Sequence, residues 1–189
     1  MTGDGPPTIL AVDDEPSLTT LYEAWLADDY RVETASSAEE ALGLVADESF
    51  DAAMLDRQMP GGTGDEVLSE LRARDHDFPV VMVTGVDPDT DIVEMPFDDY
   101  LVKPVGKLEV RRAVRSLVVR GSYNDLLREY FALARKRAVL ESTYDRETLE
   151  ESASYRELTA SVDDAAARAD DARAELLDDA FEEAALDFG

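Results

Sequence analysis

Short apolar runs alternate, along the first 120 residues, with longer segments whose apolar side chains recur every three or four positions. The runs lie at residues 8–12, 31–35, 52–55, 79–84 and 100–102. Runs of this length are typical of buried strands, and the spacing between them is typical of amphipathic helices. Because strand and helix alternate, the pattern predicts a parallel sheet with helices on both faces.

Capping residues support the helices of this predicted domain. The first helix places five apolar side chains on one face, namely Leu18, Leu21, Tyr22, Trp25 and Leu26. Two segments have the form of a capping box, in which Ser37 is followed by Glu40 and Thr63 by Glu66. A fifth helix is predicted from about residue 106 to 119.

Polar side chains follow the strands at one edge of this sheet. Right-handed crossovers give five strands a doubly wound, flavodoxin-like α/β fold with the order 2-1-3-4-5. Strands 1 and 3 are then neighbours, so Asp13 and Asp14 lie beside Asp56. Three crowded carboxylates repel each other, and a hard cation such as Mg²⁺ removes the conflict. Thr84 and Lys103 end strands 4 and 5 at the same edge, where both could bond a phosphoryl group on Asp56.

Taken singly, an Asp that merely begins a loop is the commoner situation, but the combination is specific. The motifs are Asp13-Asp14, Asp56-x-x-Met59-Pro60-x-x-x-Gly64, Thr84-Gly85 and Asp99-Tyr100-Leu101-x-Lys103-Pro104. Over about residues 8–120 they resemble the receiver domain of two-component response regulators. The resemblance implies that Asp56 accepts a phosphoryl group from a sensor histidine kinase. The chain would then be a phosphorylation-controlled switch with intrinsic self-dephosphorylation, and not an enzyme.

The resemblance also implies a metal-binding role for each matching acidic residue. Asp14 would bind Mg²⁺ directly and Asp13 largely through water. Asp56 would share the ion, and the backbone carbonyl of Gln58 would supply a further ligand.

Three residues of the last two strands would act in switching. Lys103 would contact the phosphoryl group, and its bond to Pro104 is commonly cis in this family. Thr84 would swing toward the phosphate, and Tyr100 would rotate inward behind it. From the pattern alone, a half-buried strand aromatic explains Tyr100 equally well.

The segment between Thr84 and Lys103 departs from the family pattern. It is a few residues shorter than usual, and residues 86–98 contain two prolines and five acidic residues. This composition leaves room for only a turn or two of helix, near residues 91–95. The fifth strand would be partly uncovered there, or the C-terminal segment would cover it.

The last 70 residues predict a separate helical domain. Gly121-Ser122 interrupts the pattern, a helix follows over residues 123–142, and a last helical segment runs from about 147 to 186 without Pro or internal Gly. The spacing of its apolar residues, from Tyr155 to Leu176, is that of an alanine-rich coiled-coil seam. These elements predict an antiparallel α-helical hairpin, and the alternative is a helix that folds back on the first domain.

We therefore divide the chain into a leader (1–7), a receiver domain (8–120) and a helical domain (121–189). The helical domain resembles the HalX-type domain that follows receivers in haloarchaeal regulators. The resemblance rests on Glu129-Tyr130-Phe131-Ala132-Leu133-Ala134 and Ser154-Tyr155-x-x-Leu158.

The amino-acid composition indicates the environment in which the protein works. The chain has 44 acidic and 18 basic residues, a net charge of −26, and 44% apolar residues. Much acid, much Ala and little Lys are typical of proteins from a salt-rich cytoplasm. Cys is absent, which excludes disulfides and thiol chemistry. No apolar run approaches the roughly 20 residues that span a bilayer, and no signal-peptide pattern opens the chain, so we expect a cytoplasmic protein without membrane contact.

Charge is unevenly distributed along the C-terminal part. Residues 103–137 contain ten basic and three acidic side chains, and residues 141–188 contain four basic and sixteen acidic ones. The basic stripe is expected to pair with the acidic helix, within the chain or across a homodimer formed by the C-terminal helices. The alternative is a DNA-binding transcriptional regulator acting through this stripe. Pairing with the acidic helix, within the chain or across a dimer, is favoured over DNA binding, because no DNA-binding motif is present and phosphate contacts weaken in salt.

Overall fold

The computed structural model describes residues 5–85, 93 and 95–187, with side chains as far as residue 177. The chain divides into two compact units, an N-terminal unit (Met1–Gly121) and a C-terminal unit (Ser122–Gly189). The first four residues of the predicted leader, and most of the helix predicted near residues 91–95, lie outside the described residues.

Strands and helices alternate through the N-terminal unit. In chain order they are β1 (Thr8–Val12), α1 (Pro16–Leu26), β2 (Arg31–Ala35), α2 (Ala38–Asp47), β3 (Ala52–Leu55), β4 (Gln58–Met59), β5 (Gly62–Thr63), α3 (Gly64–Ala73), β6 (Val80–Thr84), β7 (Asp99–Val102) and the first part of α4 (Lys107–Thr143).

Five of these strands form one parallel sheet. Their order is β2-β1-β3-β6-β7, which confirms the predicted order 2-1-3-4-5. In register, Val12 lies opposite Leu55, and Thr84 lies opposite Val102. The strand ends that carry the predicted site therefore meet at one edge of the sheet.

Alternation along the strands builds a core on each face of the sheet. One face combines strand residues such as Leu10 and Leu55 with side chains of α2 and α3. The other face combines Ile9, Ala11 and Met54 with side chains of α1 and of the beginning of α4. Helices thus cover both faces, as predicted.

Two details of the predicted helices differ from the structure. Leu21 was predicted to face the core, but it is 41% exposed, because α1 turns Tyr22 and Leu26 inward instead. The hydroxyl of Ser37 accepts from the backbone N–H of Glu40, as expected of a helix cap. However, the Glu40 carboxylate accepts from the backbone N–H and hydroxyl of Ser36, so this start is not a reciprocal capping box. The Thr63–Glu66 capping box is present as predicted.

The predicted helix break at Gly121-Ser122 is wrong, because α4 is continuous from Lys107 to Thr143. A Cβ added to Gly121 would lie 3.2 Å from Cδ of Pro79. Here glycine allows a close approach between the helix and a neighbouring loop, and it does not end the helix. The sequence pattern could not distinguish these two uses of glycine.

The C-terminal unit forms an antiparallel hairpin from the rest of α4, α5 (Arg146–Glu151) and α6 (Ala153–Asp187). Three side-chain contacts join α4 to α6: Glu129 with Arg168 at 3.1 Å, Arg137 with Asp163 at 3.8 Å, and Glu141 with Tyr155 at 2.8 Å. The partner's number falls as the residue number on α4 rises, so the two helices run in opposite directions. The predicted hairpin is confirmed, and Arg137 is one of the basic residues that pairs with the acidic helix.

The last helical segment was predicted to be continuous, but it is interrupted at Ser152. Ser152 has an extended backbone between α5 and α6, and its hydroxyl accepts from the backbone N–H of Tyr155 at 3.3 Å. A serine that caps the next helix explains this interruption without Pro or Gly. Within the described part of the chain, no helix is both long enough and apolar enough to cross a membrane.

Candidate functional site

Backbone hydrogen bonds extend the sheet by one residue and fix the site residues at its edge. The N–H of Asp56 donates to the carbonyl of Val12 at 2.8 Å. The N–H of Lys103 donates to the carbonyl of Thr84 at 2.8 Å. Since neighbouring strands are about 4.8 Å apart, side chains at these ends can contact one another.

A bridging ammonium group links two of the acidic residues. Nζ of Lys103 lies 2.7 Å from Oδ2 of Asp13 and 2.7 Å from Oδ2 of Asp56. The side chain of Asp13 is 1% exposed, that of Asp56 8% and that of Lys103 15%. Burial of the ammonium opposes its charge, but the hydrogen bonds and charges of Asp13 and Asp56 outweigh burial and raise the pKa of Lys103 above its ordinary value. Lys103 therefore stays charged and compensates two buried carboxylates.

Asp14 joins the same cluster of carboxylates. One carboxylate oxygen from each of Asp13, Asp14 and Asp56 lies within 4.8 Å of the others, and Asp14 is partly exposed to solvent. Hard oxygen ligands at this spacing, with an open side, suit Mg²⁺, which keeps several waters and takes one or two protein carboxylates. A single lysine leaves this group with net negative charge, so the donor set fits a divalent cation.

Backbone groups of the loop after Asp56 fix the position of that residue. The backbone N–H of Gln58 donates to Oδ1 of Asp56 at 3.1 Å. A Cβ added to Gly64 would lie 2.3 Å from the carbonyl oxygen of Asp56, so only glycine fits at this approach. Nε of Arg57 lies 3.0 Å from Oδ2 of Asp65 and ties the loop to the first turn of α3. The short strands β4 and β5, which the sequence did not predict, form the antiparallel hairpin in this loop.

The remaining predicted residues lie around the same edge. Thr84 is fully buried at the end of β6. Tyr100 is half-buried in β7, and its ring centroid lies 5.6 Å from that of Phe97. The peptide bond between Lys103 and Pro104 is cis. The structure thus brings Asp13, Asp14, Asp56 and Lys103 into one group, with Thr84 on the adjoining strand end.

Sequence reasoning assigned Tyr22 only to the core and missed its hydroxyl. Tyr22 is 1% exposed, and its hydroxyl makes no hydrogen bond with the residues that the structure describes. Burial raises the pKa of Tyr22 to about 12, and the charges of Asp13 and Asp56 add to the rise against the opposing effect of Lys103. The helical pattern showed that this side chain faces inward, but it could not show that its polar end lies close to the acidic group.

Two family models match consecutive parts of the chain. The response regulator receiver domain matches residues 9–115, and the HalX domain matches residues 119–185. Receiver domains generally bind Mg²⁺ at an acidic pocket, and this chain has an acidic cluster of that kind.

Curated relatives support the same family. A protein of Haloferax volcanii is 50% identical over 71% of this chain and 23% of its own length. The alkaline phosphatase synthesis transcriptional regulatory protein PhoP of Bacillus subtilis is 40% identical over 59% of this chain and 48% of its own length. The matches therefore span less than half the length of these two relatives.

Solved structures resemble the N-terminal unit. The chemotaxis protein CheY4 of Vibrio cholerae has 28% identity and a TM-score of 0.57, and the match covers 60% of this chain and 99% of that protein. The response regulator TrrA of Thermotoga maritima, solved in complex with Mg²⁺ and BeF, has 33% identity and a TM-score of 0.55, covering 59% of this chain and 98% of that protein. With the five-stranded sheet and the acidic edge, these findings show that the chain belongs to the response regulator receiver family of two-component signalling and carries a HalX domain after its receiver domain.

Proposed function

We propose that this response regulator accepts a phosphoryl group on Asp56 from a sensor histidine kinase. A carboxylate oxygen of Asp56 forms a bond to phosphorus while the bond from phosphorus to the kinase histidine breaks. The observation that carries the proposal is the lysine bridge, in which one partly buried ammonium holds both Asp13 and Asp56. That ammonium is already within reach of the oxygens of a phosphoryl group on Asp56, where negative charge develops.

The side chains of Asp13, Asp14 and Asp56 and the backbone carbonyl of Gln58 would hold Mg²⁺ at this edge. When bound, the ion supplies positive charge to the phosphoryl oxygens and relieves repulsion among the carboxylates. We propose that the chain acts only on itself: water later attacks phosphorus, inorganic phosphate leaves, and the Asp56 carboxylate is restored. In this sense it is a phosphoacceptor and not an enzyme.

Switching would begin when the new phosphoryl group competes for Lys103. Lys103 would exchange its bond to the Asp56 carboxylate for one to the phosphoryl oxygens, and the Thr84 hydroxyl would move toward the same oxygens. Tyr100 would rotate inward behind Thr84, away from its packing on Phe97. The added charge would thus shift the equilibrium between two arrangements of the side chains at the ends of β6 and β7.

Phosphorylation with a small phosphodonor and Mg²⁺ tests the acceptor directly. Intact-mass spectrometry should find one added phosphoryl group on the unaltered protein and none on Asp56→Asn. The matched control is Asp51→Asn, which makes the same change at an exposed residue just before β3, at the opposite end of the strand. Labelling that persists in Asp56→Asn, or that requires Asp51, would contradict the assignment.

For the output, we propose that the C-terminal helices form a homodimer contact. The C-terminal unit exposes large apolar side chains on α4 and α6, including Phe131, Val139 and Leu177. A groove of about 790 Å³ between α4, α5 and the start of α6 adds Leu140 and Leu158 to this apolar surface. A second copy, with its own acidic α6, would complement Arg135 and Lys136 at the groove.

The oligomeric state with and without beryllofluoride, measured by light scattering in molar KCl, tests this output. A shift toward dimer with beryllofluoride, lost in Val139→Asp, supports the proposal. The same mass in both conditions contradicts it. Arg146→Asp is a suitable control, because Arg146 is exposed and its hydrogen bond and ion pair are with Glu150 on the same helix.

DNA binding is the second candidate function. PhoP of Bacillus subtilis is named as a transcriptional regulatory protein, and Arg135 and Lys136 of this chain are exposed. A gel-shift experiment with genomic fragments in molar salt distinguishes this function from dimerisation alone. Sequence-specific retention of DNA under those conditions would favour it, because contacts to phosphate alone lose most of their affinity there.

A further inference from the structure

Tyr22 carries a buried hydroxyl group that has no evident role in folding. Its side chain packs among the apolar residues on the α1 and α4 face of the sheet and is 1% exposed. The hydroxyl makes no hydrogen bond with the described residues. Buried polar groups in native proteins nearly always have a partner, so an exception of this kind calls for an explanation.

The hydroxyl lies on the same side of the sheet as the acidic group. Side chains alternate between the two faces of a strand, and Asp13 continues the series of Ile9 and Ala11, which pack beside Tyr22. Asp56 continues the equivalent series of β3. Burial, and after it the nearby Asp13 carboxylate, raise the pKa of Tyr22, so Asp13 lies close to the hydroxyl. Toward a carboxylate, which only accepts, a phenol hydroxyl acts as the donor.

Each carboxylate oxygen of Asp13 already accepts one hydrogen bond from another donor. Oδ1 accepts from the backbone N–H of Glu15 at 3.0 Å, and Oδ2 accepts from Nζ of Lys103 at 2.7 Å. Lys103 shares its ammonium with Asp56. A divalent cation that enters this edge competes with Lys103 for the Asp13 carboxylate, and when it displaces the ammonium, Asp13 loses a donor inside the protein.

We infer that Tyr22 is a positioning residue, whose hydroxyl donates a hydrogen bond to the Asp13 carboxylate and orients it for Mg²⁺ when the ion displaces Lys103 from that carboxylate. The inference rests on the proposed function, because it concerns the same acidic site. A hydrogen bond donated to a metal ligand, by a residue that does not itself touch the metal, fixes the orientation of the ligand and strengthens metal binding. Tyr22 touches neither the phosphoryl group nor the ion, and its effect passes through Asp13.

Tyr22→Phe removes only the oxygen atom and tests the inference. We expect its affinity for Mg²⁺, measured by calorimetry at constant KCl, to fall about tenfold. We also expect its stability to urea without Mg²⁺ to stay equal or rise, because the variant loses an unpaired polar atom. A residue that merely fills the core would show the same stability but an unchanged affinity for Mg²⁺, so the affinity is the deciding measurement. The matched control is Leu26→Met, which alters a fully buried apolar residue one turn further along α1.

The fluorescence of the single tryptophan supplies an independent signal. The ring centroid of Trp25 lies 6.1 Å from that of Tyr22, so a change in the Tyr22 environment on Mg²⁺ binding should alter Trp25 emission. That Mg²⁺-dependent change should be present in Leu26→Met and reduced in Tyr22→Phe at saturating Mg²⁺. Equal or tighter Mg²⁺ binding by Tyr22→Phe would overturn the inference and leave the proposed function standing. Absence of both Mg²⁺ binding and Asp56 labelling in the unaltered protein would instead overturn the proposed function.

Discussion

At the residue scale, one ammonium group decides the electrostatics of the site. Lys103 is the cation that compensates both Asp13 and Asp56, whose side chains are almost fully buried. A buried charge that loses its partner is strongly destabilising, whereas a paired one is tolerated. The lysine therefore stabilises the metal-free state and competes with the divalent cation for the same oxygens.

Lys103→Met should lower the free energy of unfolding by about 3 kcal/mol without Mg²⁺, because two buried carboxylates are left facing each other. Saturating Mg²⁺ should remove most of this difference, since the ion takes over the compensating charge. Urea titrations of both proteins, with Mg²⁺ and with chelator, measure the effect. The matched control, Lys107→Met, changes an exposed lysine and should cost little. A loss of equal size with and without Mg²⁺ would contradict the competition.

The pH dependence of this difference has a definite sign. The pKa of Lys103 is raised in the folded protein by its two carboxylate partners, which outweigh burial. Its contribution is therefore complete below the unfolded value of about 10.4 and is lost as pH rises through the folded pKa. Unaltered protein and Lys103→Met should thus differ by a constant amount through neutral pH, and urea titrations above about pH 10.4 should show the difference shrinking.

At the element scale, the loop between β3 and α3 is held by a close backbone contact and a helix cap. Gly64 begins α3 directly against the backbone of Asp56, and Thr63 caps the helix with Glu66. The first turn of α3 thereby fixes the position of Asp56 from behind. A backbone-to-backbone approach of this kind cannot relax by a change of rotamer.

Gly64→Ala should therefore disturb the site although it adds only one methyl group. The added Cβ would lie 2.3 Å from the Asp56 carbonyl oxygen, so the loop must move. We expect a loss of roughly 2 kcal/mol in stability, as for other overpacked positions, and slower labelling of Asp56 by a phosphodonor. Gly43→Ala is the control, because a Cβ at Gly43 meets no atom within 4 Å. That variant should gain up to about 1 kcal/mol from helix propensity.

At the scale of the whole molecule, net charge is the dominant feature. The chain carries a charge of −26, and like charges in a compact state repel one another until salt screens them. The Debye length falls from about 10 Å at 0.1 M to about 3 Å at 1 M salt. Folding should accordingly be favoured by concentrated salt in both units of the chain.

The midpoint of thermal unfolding should rise by roughly 10 °C between 0.1 M and 1 M KCl, which corresponds to about 3 kcal/mol for a chain of this size. Circular dichroism at 222 nm measures the transition. A neutral osmolyte at matched osmolality should give a smaller rise, because it does not screen charge. An unchanged or lower midpoint in KCl would show that self-repulsion does not limit the stability of this protein.

Sequence patterns were sufficient to predict the order of strands and helices, the acidic and basic residues at the strand ends and the helical C-terminal part. These features are encoded locally, in the spacing of apolar residues, in helix caps such as Thr63 and in the alternation of side chains along each strand. Five strands of that kind leave few parallel arrangements, so the neighbours of Asp56 followed from chain order.

Contacts between distant residues, and the continuation of helices through glycine, became visible only in the folded protein. Lys103 bridges Asp13 and Asp56, which lie 90 and 47 residues away in sequence, and such pairing depends on packing across the whole sheet. The tight contact that retains Gly121 inside α4 and the placement of the Tyr22 hydroxyl near Asp13 are of the same kind. Local patterns record whether a residue faces inward. Long-range packing decides what it meets there.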